Sequence, residues 1–168
     1  GRDQIVGAMK DKITIQESPW VCKVEVLFNS QSKPFDNPKV RQALQMSIDR
    51  WGASQALSKI AILKPVGGPL RPGSELALPP DDLAKLPAFS RDIEKARGEA
   101  RKLLAEAGVA DLKFKLINRN TSQPFTPAGI YVIDQWRRIG VAAEHQQLDV
   151  SLQKKAIAAG DYQVAIEA

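Results

Sequence analysis

The sequence predicts an α/β fold, a three-layer-like lobe built on a mixed sheet. Three observations predict it: apolar stripes of helical period, short segments alternating apolar and polar residues, and a β-α-β-α-β run through the last third of the chain. At 168 residues the chain suits one domain, and a domain near this length hides roughly 68–70% of its unfolded surface. It is 43% hydrophobic and 26% charged. That is enough apolar surface to offset the entropy of ordering the chain.

The elements follow in order. Ile13 and Ile15 alternate with polar residues and suggest a short strand. Val21 to Phe28 suggests a longer one, with Val24, Val26 and Phe28 on one side and Glu25, Leu27 and Asn29 on the other. Asp36 or Asn37 is placed to cap a helix, with Pro38 in its first turn. Val40, Ala43, Leu44, Ser47, Ile48 and Trp51 then form one continuous helical stripe, with Phe35 as a hydrophobic staple before it. A short second helix is expected over Ser54 to Ile62.

Residues 64–90 hold Pro65, Pro69, Pro72, Pro79, Pro80 and Pro87 with Gly67, Gly68 and Gly73, and read as an ordered loop. A loop this long in a compact domain has a function or covers something. Asp92 opens a helix to Ala107, with an inner stripe of Ile93, Ala96, Ala100, Leu103, Leu104 and Ala107 and a stop at Gly108. Leu112, Phe114 and Leu116 make a strand, and Asn118 to Pro124 a turn. A helix from Thr126-Pro127 carries Val132, Ile133, Trp136 and Ile139 to Gly140. Val141 to Leu148 is a strand, Asp149 or Ser151 caps a helix to Gly160, and Tyr162, Val164 and Ile166 mark the last strand. That order predicts neighbouring parallel strands joined by right-handed crossovers.

Chemistry that the sequence lacks narrows the function. Gly67-Gly68-Pro69 is not a phosphate loop, and neither a nucleophile elbow nor a His-Glu-x-x-His pair occurs. The single Cys22 excludes a cysteine-based zinc site. The single His145, between Glu144 and Gln146, is expected to face solvent from a strand. Asp81-Asp82 reads as loop solvation or a turn cap rather than an acid–base pair. The expectation is therefore no catalytic residue, no metal and no cofactor. The net charge of +5 is scattered among Asp and Glu, so no nucleic acid is expected as a partner. No apolar stretch approaches the roughly 20 residues that span a bilayer, so no direct membrane insertion is expected. A small hydrolase-like α/β enzyme using Cys22 or an acidic pair, or a basic nucleic-acid-binding domain, remain the rival readings.

The segment Phe28-Asn29-Ser30-Gln31-Ser32-Lys33-Pro34-Phe35-Asp36-Asn37-Pro38-Lys39-Val40-Arg41-Gln42-Ala43-Leu44, continuing to Ile48-Asp49-Arg50, resembles a block of the bacterial extracellular solute-binding proteins of family five, the oligopeptide- and dipeptide-binding type. Glu94-Lys95-Ala96-Arg97 to Leu103-Leu104-Ala105-Glu106-Ala107-Gly108, Trp136-Arg137-Arg138-Ile139-Gly140-Val141 and Gly160-Asp161-Tyr162 extend the resemblance in the same order. It implies a non-enzymatic, monomeric lobe (residues 1–168) of a larger periplasmic or membrane-anchored protein. A second lobe would close over a peptide or related small solute, for delivery to the membrane permease of an ABC importer. The opening Gly1-Arg2-Asp3 and the stop after the last predicted strand fit the expectation of an internal piece. The resemblance places Glu25, Leu27 and Asn29 toward the cleft from their strand, and Asn120 and Phe125 from the loop before the Trp136 helix. Glu25 and Asn120 would bond a peptide, and Leu27 and Phe125 would supply apolar wall.

Overall fold

The computed structural model describes residues 2–16, 23–58, 66–70 and 72–168. Trp20, Cys22, the start of the predicted strand at Val21 and the predicted helix end at Ile62 lie outside them. Helix α1 spans Arg2–Met9 and strand β1 Glu25–Phe28, followed by α2 Pro38–Met46, α3 Arg50–Leu57 and α4 Pro80–Leu83. Then come α5 Ile93–Glu106, β2 Lys113–Arg119, α6 Phe125–Arg137, β3 Ala142–Leu148, α7 Val150–Ala159 and β4 Val164–Glu167.

The predicted caps form as the side chains dictate. Asn37 accepts from Lys39 N–H at 2.9 Å and Asp92 from Lys95 N–H at 3.1 Å, satisfying helix-end donors that have no partner inside the helix. Asp149 accepts from Ser151 N–H at 2.8 Å, and Gly160 ends α7 in the left-handed region at φ 72°.

The continuous stripe from Val40 to Trp51 is broken. Helix α2 stops at Met46, because Asp49 is extended and caps a new helix by accepting from Gly52 N–H at 2.8 Å. Helix α3 therefore starts four residues before Ser54. Trp51 falls in the first turn of α3, donating to Phe89 O at 2.8 Å with the Arg91 guanidinium 4.0 Å over its ring. Ile13 and Ile15 form no strand. Asp81 and Asp82 lie in the first turn of α4 rather than in loop, where a carboxylate favours the helix N-terminus.

The four-stranded sheet has the order β1-β4-β2-β3. β2 is parallel to both β3 and β4, while β1 runs antiparallel beside β4. The parallel run was expected, but β3 and β4 are not neighbours; the chain crosses over β2 to place β4 on its far side.

One face of the sheet carries the core. Phe114 and Leu116 of β2, Val164 and Ile166 of β4 and the half-buried Val26 and Phe28 meet Phe35, Val40 and Leu44, and Val132 and Trp136 of α6. The Trp136 indole is fully buried, lies 5.2 Å from Phe114, and donates to Leu44 O at 3.0 Å. That bond satisfies the polar end of the ring and ties α6 to α2. Phe35 is a core residue rather than a local staple, edge-on to Phe114 at 5.1 Å. Such edge-to-face pairs add about 0.5–1.5 kcal/mol to simple burial. The other face is covered only in part, by α7; Lys113, Lys115 and Glu144 remain exposed there.

Candidate ligand-binding site

Strands β2 and β4 are parallel neighbours, so their carboxyl ends lie at the same end of the sheet. Open α/β sheets take ligands beyond the carboxyl ends of their strands. Four side chains meet there: Arg119 from β2, Phe125 from the start of α6, Gln153 from α7 and Glu167 from β4.

Arg119 is the hub. Its Nε donates to Gln153 Oε1 at 3.0 Å, its Nη2 pairs with the Glu167 carboxylate, and its guanidinium carbon stands 4.3 Å over the Phe125 ring. The Phe125 ring is 7% exposed, and its carbonyl accepts from Asn118 Nδ2 at 2.7 Å. Asn118 is fully buried, since the strand runs on through Arg119 where a turn was expected. Phe125 likewise begins α6 rather than preceding it.

Asn118 Nδ2 also lies 3.1 Å from His145 Nε2. An amide N–H there makes Nε2 the acceptor, which leaves the ring proton of the neutral imidazole on Nδ1. His145 is thus half-buried beneath α6, not solvent-facing, and burial lowers its pKa from the usual histidine range. Gly129 makes room: a Cβ there would lie 2.6 Å from both His145 Nε2 and Asn118 Nδ2.

Glu25 faces Glu167 directly across the antiparallel pair, and Leu27 faces Ala165, so these side chains share the Arg119 face. Glu25 also pairs with Lys23 at 3.0 Å. Asn120 is the first residue beyond β2; its N–H donates to Leu148 O at 2.9 Å and its side chain is exposed. Glu25 thus lies level with Glu167 at the carboxyl end of β4, Leu27 two residues further along β1 on the same face, and Phe125 in the core cluster on the other face. Asn29 follows the last residue of β1, and its N–H donates to Gln163 O at 3.0 Å. Its amide donates to Gly160 O and Tyr162 O at 3.0 and 2.9 Å and its oxygen accepts from Gln31 N–H, so it fastens β1 to the turn before β4.

Arg119, Gln153 and Glu167 were missed because their contacts are distant in sequence. Two open cavities of about 350 and 710 Å³ lie elsewhere, the first near Ile133, Arg137 and Gly140, the second near Lys33, Ala105 and Asp111. Among the described residues no three of His, Cys, Asp and Glu gather in a metal-holding group. No helix among them is long and apolar enough to cross a membrane.

Known proteins resemble this chain in sequence and in fold. The periplasmic oligopeptide-binding protein OppA of Salmonella typhimurium is 32% identical over 142 residues, covering 79% of this chain and 24% of that protein. The glutathione-binding protein GsiB of Pectobacterium atrosepticum is 34% identical over 91 residues, covering 52% of this chain and 17% of its own. The chain thus spans about a quarter or less of the length of these relatives. In fold it resembles the Escherichia coli murein tripeptide binding protein MppA, with a TM-score of 0.76 and 22% identity over 98% of this chain and 32% of that one. It also resembles Haemophilus influenzae OppA, crystallised with the peptide RPPGFSPFR, with a TM-score of 0.69 and 23% identity over 86% of this chain and 28% of that one. Residues 6–168 match the family described as "Bacterial extracellular solute-binding proteins, family 5 Middle". The chain belongs to the bacterial extracellular solute-binding proteins of family five.

Proposed function

We propose that this chain is one lobe of a periplasmic solute-binding protein that captures a peptide or related small solute by closing against a second lobe. The loaded protein then delivers the solute to the permease of an ABC importer. The reading assigns no catalysis to the chain; binding and hinge closure are its whole mechanism.

The observation that carries the proposal is the cluster of Arg119, Phe125, Gln153 and Glu167 at the carboxyl ends of β2 and β4. Glu25 stands opposite Glu167 of that cluster, and Asn120 directly follows Arg119. Relatives named for peptide and glutathione binding support the solute class, and relatives of three to four times the length support a second lobe. In this reading Phe125 and Leu27 form apolar wall, while Asn120 and Glu25 bond the polar backbone or amine of the solute. Asn29 serves the fold rather than the solute, since three hydrogen bonds already occupy its side chain.

Asn120→Ala tests the proposal because the Asn120 side chain is exposed and its removal leaves the sheet bonding intact. In the full-length protein, trialanine affinity measured by titration calorimetry should fall about tenfold, near 1.4 kcal/mol, with an unchanged melting temperature. Unchanged affinity in Asn120→Ala, or no trialanine binding by the unsubstituted protein at millimolar concentration, contradicts it.

A further inference from the structure

The register of β2 and β4 contains a missing rung. Leu116 pairs with Val164 and Ile117 with Ala165, and the pairing stops there although both strands continue. In a parallel ladder the next bond would join the Arg119 N–H to the Ile166 carbonyl. Two buried side chains take those groups instead. Arg119 N–H donates to Asn118 Oδ1 at 2.8 Å, and Gln153 Nε2 donates to Ile166 O at 2.7 Å. The strands part at their carboxyl ends without leaving either backbone group unpaired.

Gln153 is fully buried, and it is the only buried residue of α7. Burying an amide without partners costs about 1–3 kcal/mol, so an apolar residue would be the bland choice at this inward position. Here both ends of the amide are used: its nitrogen on Ile166 O, its oxygen on Arg119 Nε. The second bond fixes the guanidinium plane, and that plane lies over Phe125 and reaches Glu167.

We infer that Gln153 is a positioning residue of the side-chain cluster at the carboxyl ends of β2 and β4: it holds the two strands apart there and orients Arg119 over Phe125. The effect on solute binding rests on the peptide-binding reading; the orientation of Arg119 does not. Gln153 itself touches no solute, so its influence passes through Arg119.

The test uses the full-length protein with Gln153→Met, which removes both hydrogen bonds at nearly constant volume, Arg119→Lys, and the double variant. Trialanine is the probe in titration calorimetry. Each single variant should lose about tenfold in affinity, and the double no more than the worse single, because coupled residues are not additive. Wild-type affinity in Gln153→Met, or a loss of about a hundredfold in the double, overturns the inference.

A ligand-free arm reads the positioning directly. The Arg119 Nε–H resonance should be protected from solvent exchange in the unsubstituted protein and lose that protection in Gln153→Met. Protection that persists overturns the inference. If Gln153→Met does not fold, Gln153→Glu replaces it: the oxygen that accepts from Arg119 remains, so protection should be retained, and its loss counts against the inference. A protein that fails to bind trialanine refutes the peptide reading alone, while the Nε–H arm still decides the role of Gln153.

Discussion

Gly129→Ala sets two effects of opposite sign against each other. In a helix interior, alanine is favoured over glycine by about 1 kcal/mol, so propensity alone predicts a more stable protein. The space at Gly129 predicts the reverse. The added Cβ would stand 2.6 Å from both Asn118 Nδ2 and His145 Nε2, well inside contact distance. Neither neighbour is a loose chain end. Asn118 is fully buried and holds the Phe125 carbonyl at 2.7 Å. Overpacking of this kind costs about 1–3 kcal/mol, and breaking the Asn118 bond adds about 0.5–1.5 kcal/mol. Against the helix gain, the net is a loss of about 1–3 kcal/mol, or a melting temperature lower by roughly 2–4 °C per kcal/mol at this size. Thermal unfolding followed by circular dichroism measures it. A melting temperature equal to or above that of the unsubstituted chain would refute the close packing of α6 on Asn118 and His145.

Three further outcomes follow from the same contacts. Gln135→Leu removes the oxygen that accepts from Arg97 Nη2 at 2.7 Å and from Asp49 N–H at 3.2 Å. Arg97 is only 5% exposed but keeps its ion pair with Glu94, so this should cost about 1.5–3 kcal/mol in denaturant unfolding, while Gln135→Glu should cost much less. His145 has a pKa lowered by burial, so the unfolded chain takes up its proton first as the pH falls through about 6.5. Its contribution to stability is complete above that pH and declines below it; His145→Gln should remove this part of the slope when unfolding free energy is measured between pH 7.5 and about 5. Asp49→Ala removes the cap that accepts from Gly52 N–H and should cost about 0.5–2 kcal/mol, read in the same denaturant titration.

Much of the fold was legible because its signals are local. Asn37-Pro38 and Asp92 announce helix starts through their own side chains, and Gly160 marks a helix end by its backbone freedom. The break after Met46 was not legible, because the apolar stripe continues through it. What enforces the break is distant: Asp49 O accepts from Tyr131 OH, and Asp49 N–H donates to Gln135. Burial, reinforced by the Asp49 charge, pushes the Tyr131 pKa up to about 12, so this hydroxyl keeps its proton and donates across the ordinary pH range.

Strand order was equally hidden, since the alternation of β3 says nothing about crossing over β2. His145 was misplaced for the same reason: alternation assigns two faces, but only the packing of α6 decides which one is covered. Gly129 inside that helix was the available clue, as a mid-helix glycine marks a close approach. Gln153 also left a trace. It lies three and four residues before Ala156 and Ile157, both half-buried, so it is a polar residue on an inward stripe. Glu25, Leu27, Asn29, Asn120 and Phe125 came from resemblance, and the hydrogen bonds that tie Asn29 to the turn before β4 were not legible because Gly160 and Tyr162 are distant in sequence.

The central claim is that this chain supplies one wall of a crevice that needs a second wall to hold a solute. Titration calorimetry with trialanine, run on the 168-residue chain alone and on the full-length protein, tests it most directly. The account predicts affinity on the order of micromolar for the full-length protein and none measurable for the chain alone. Micromolar binding by the isolated chain would contradict it.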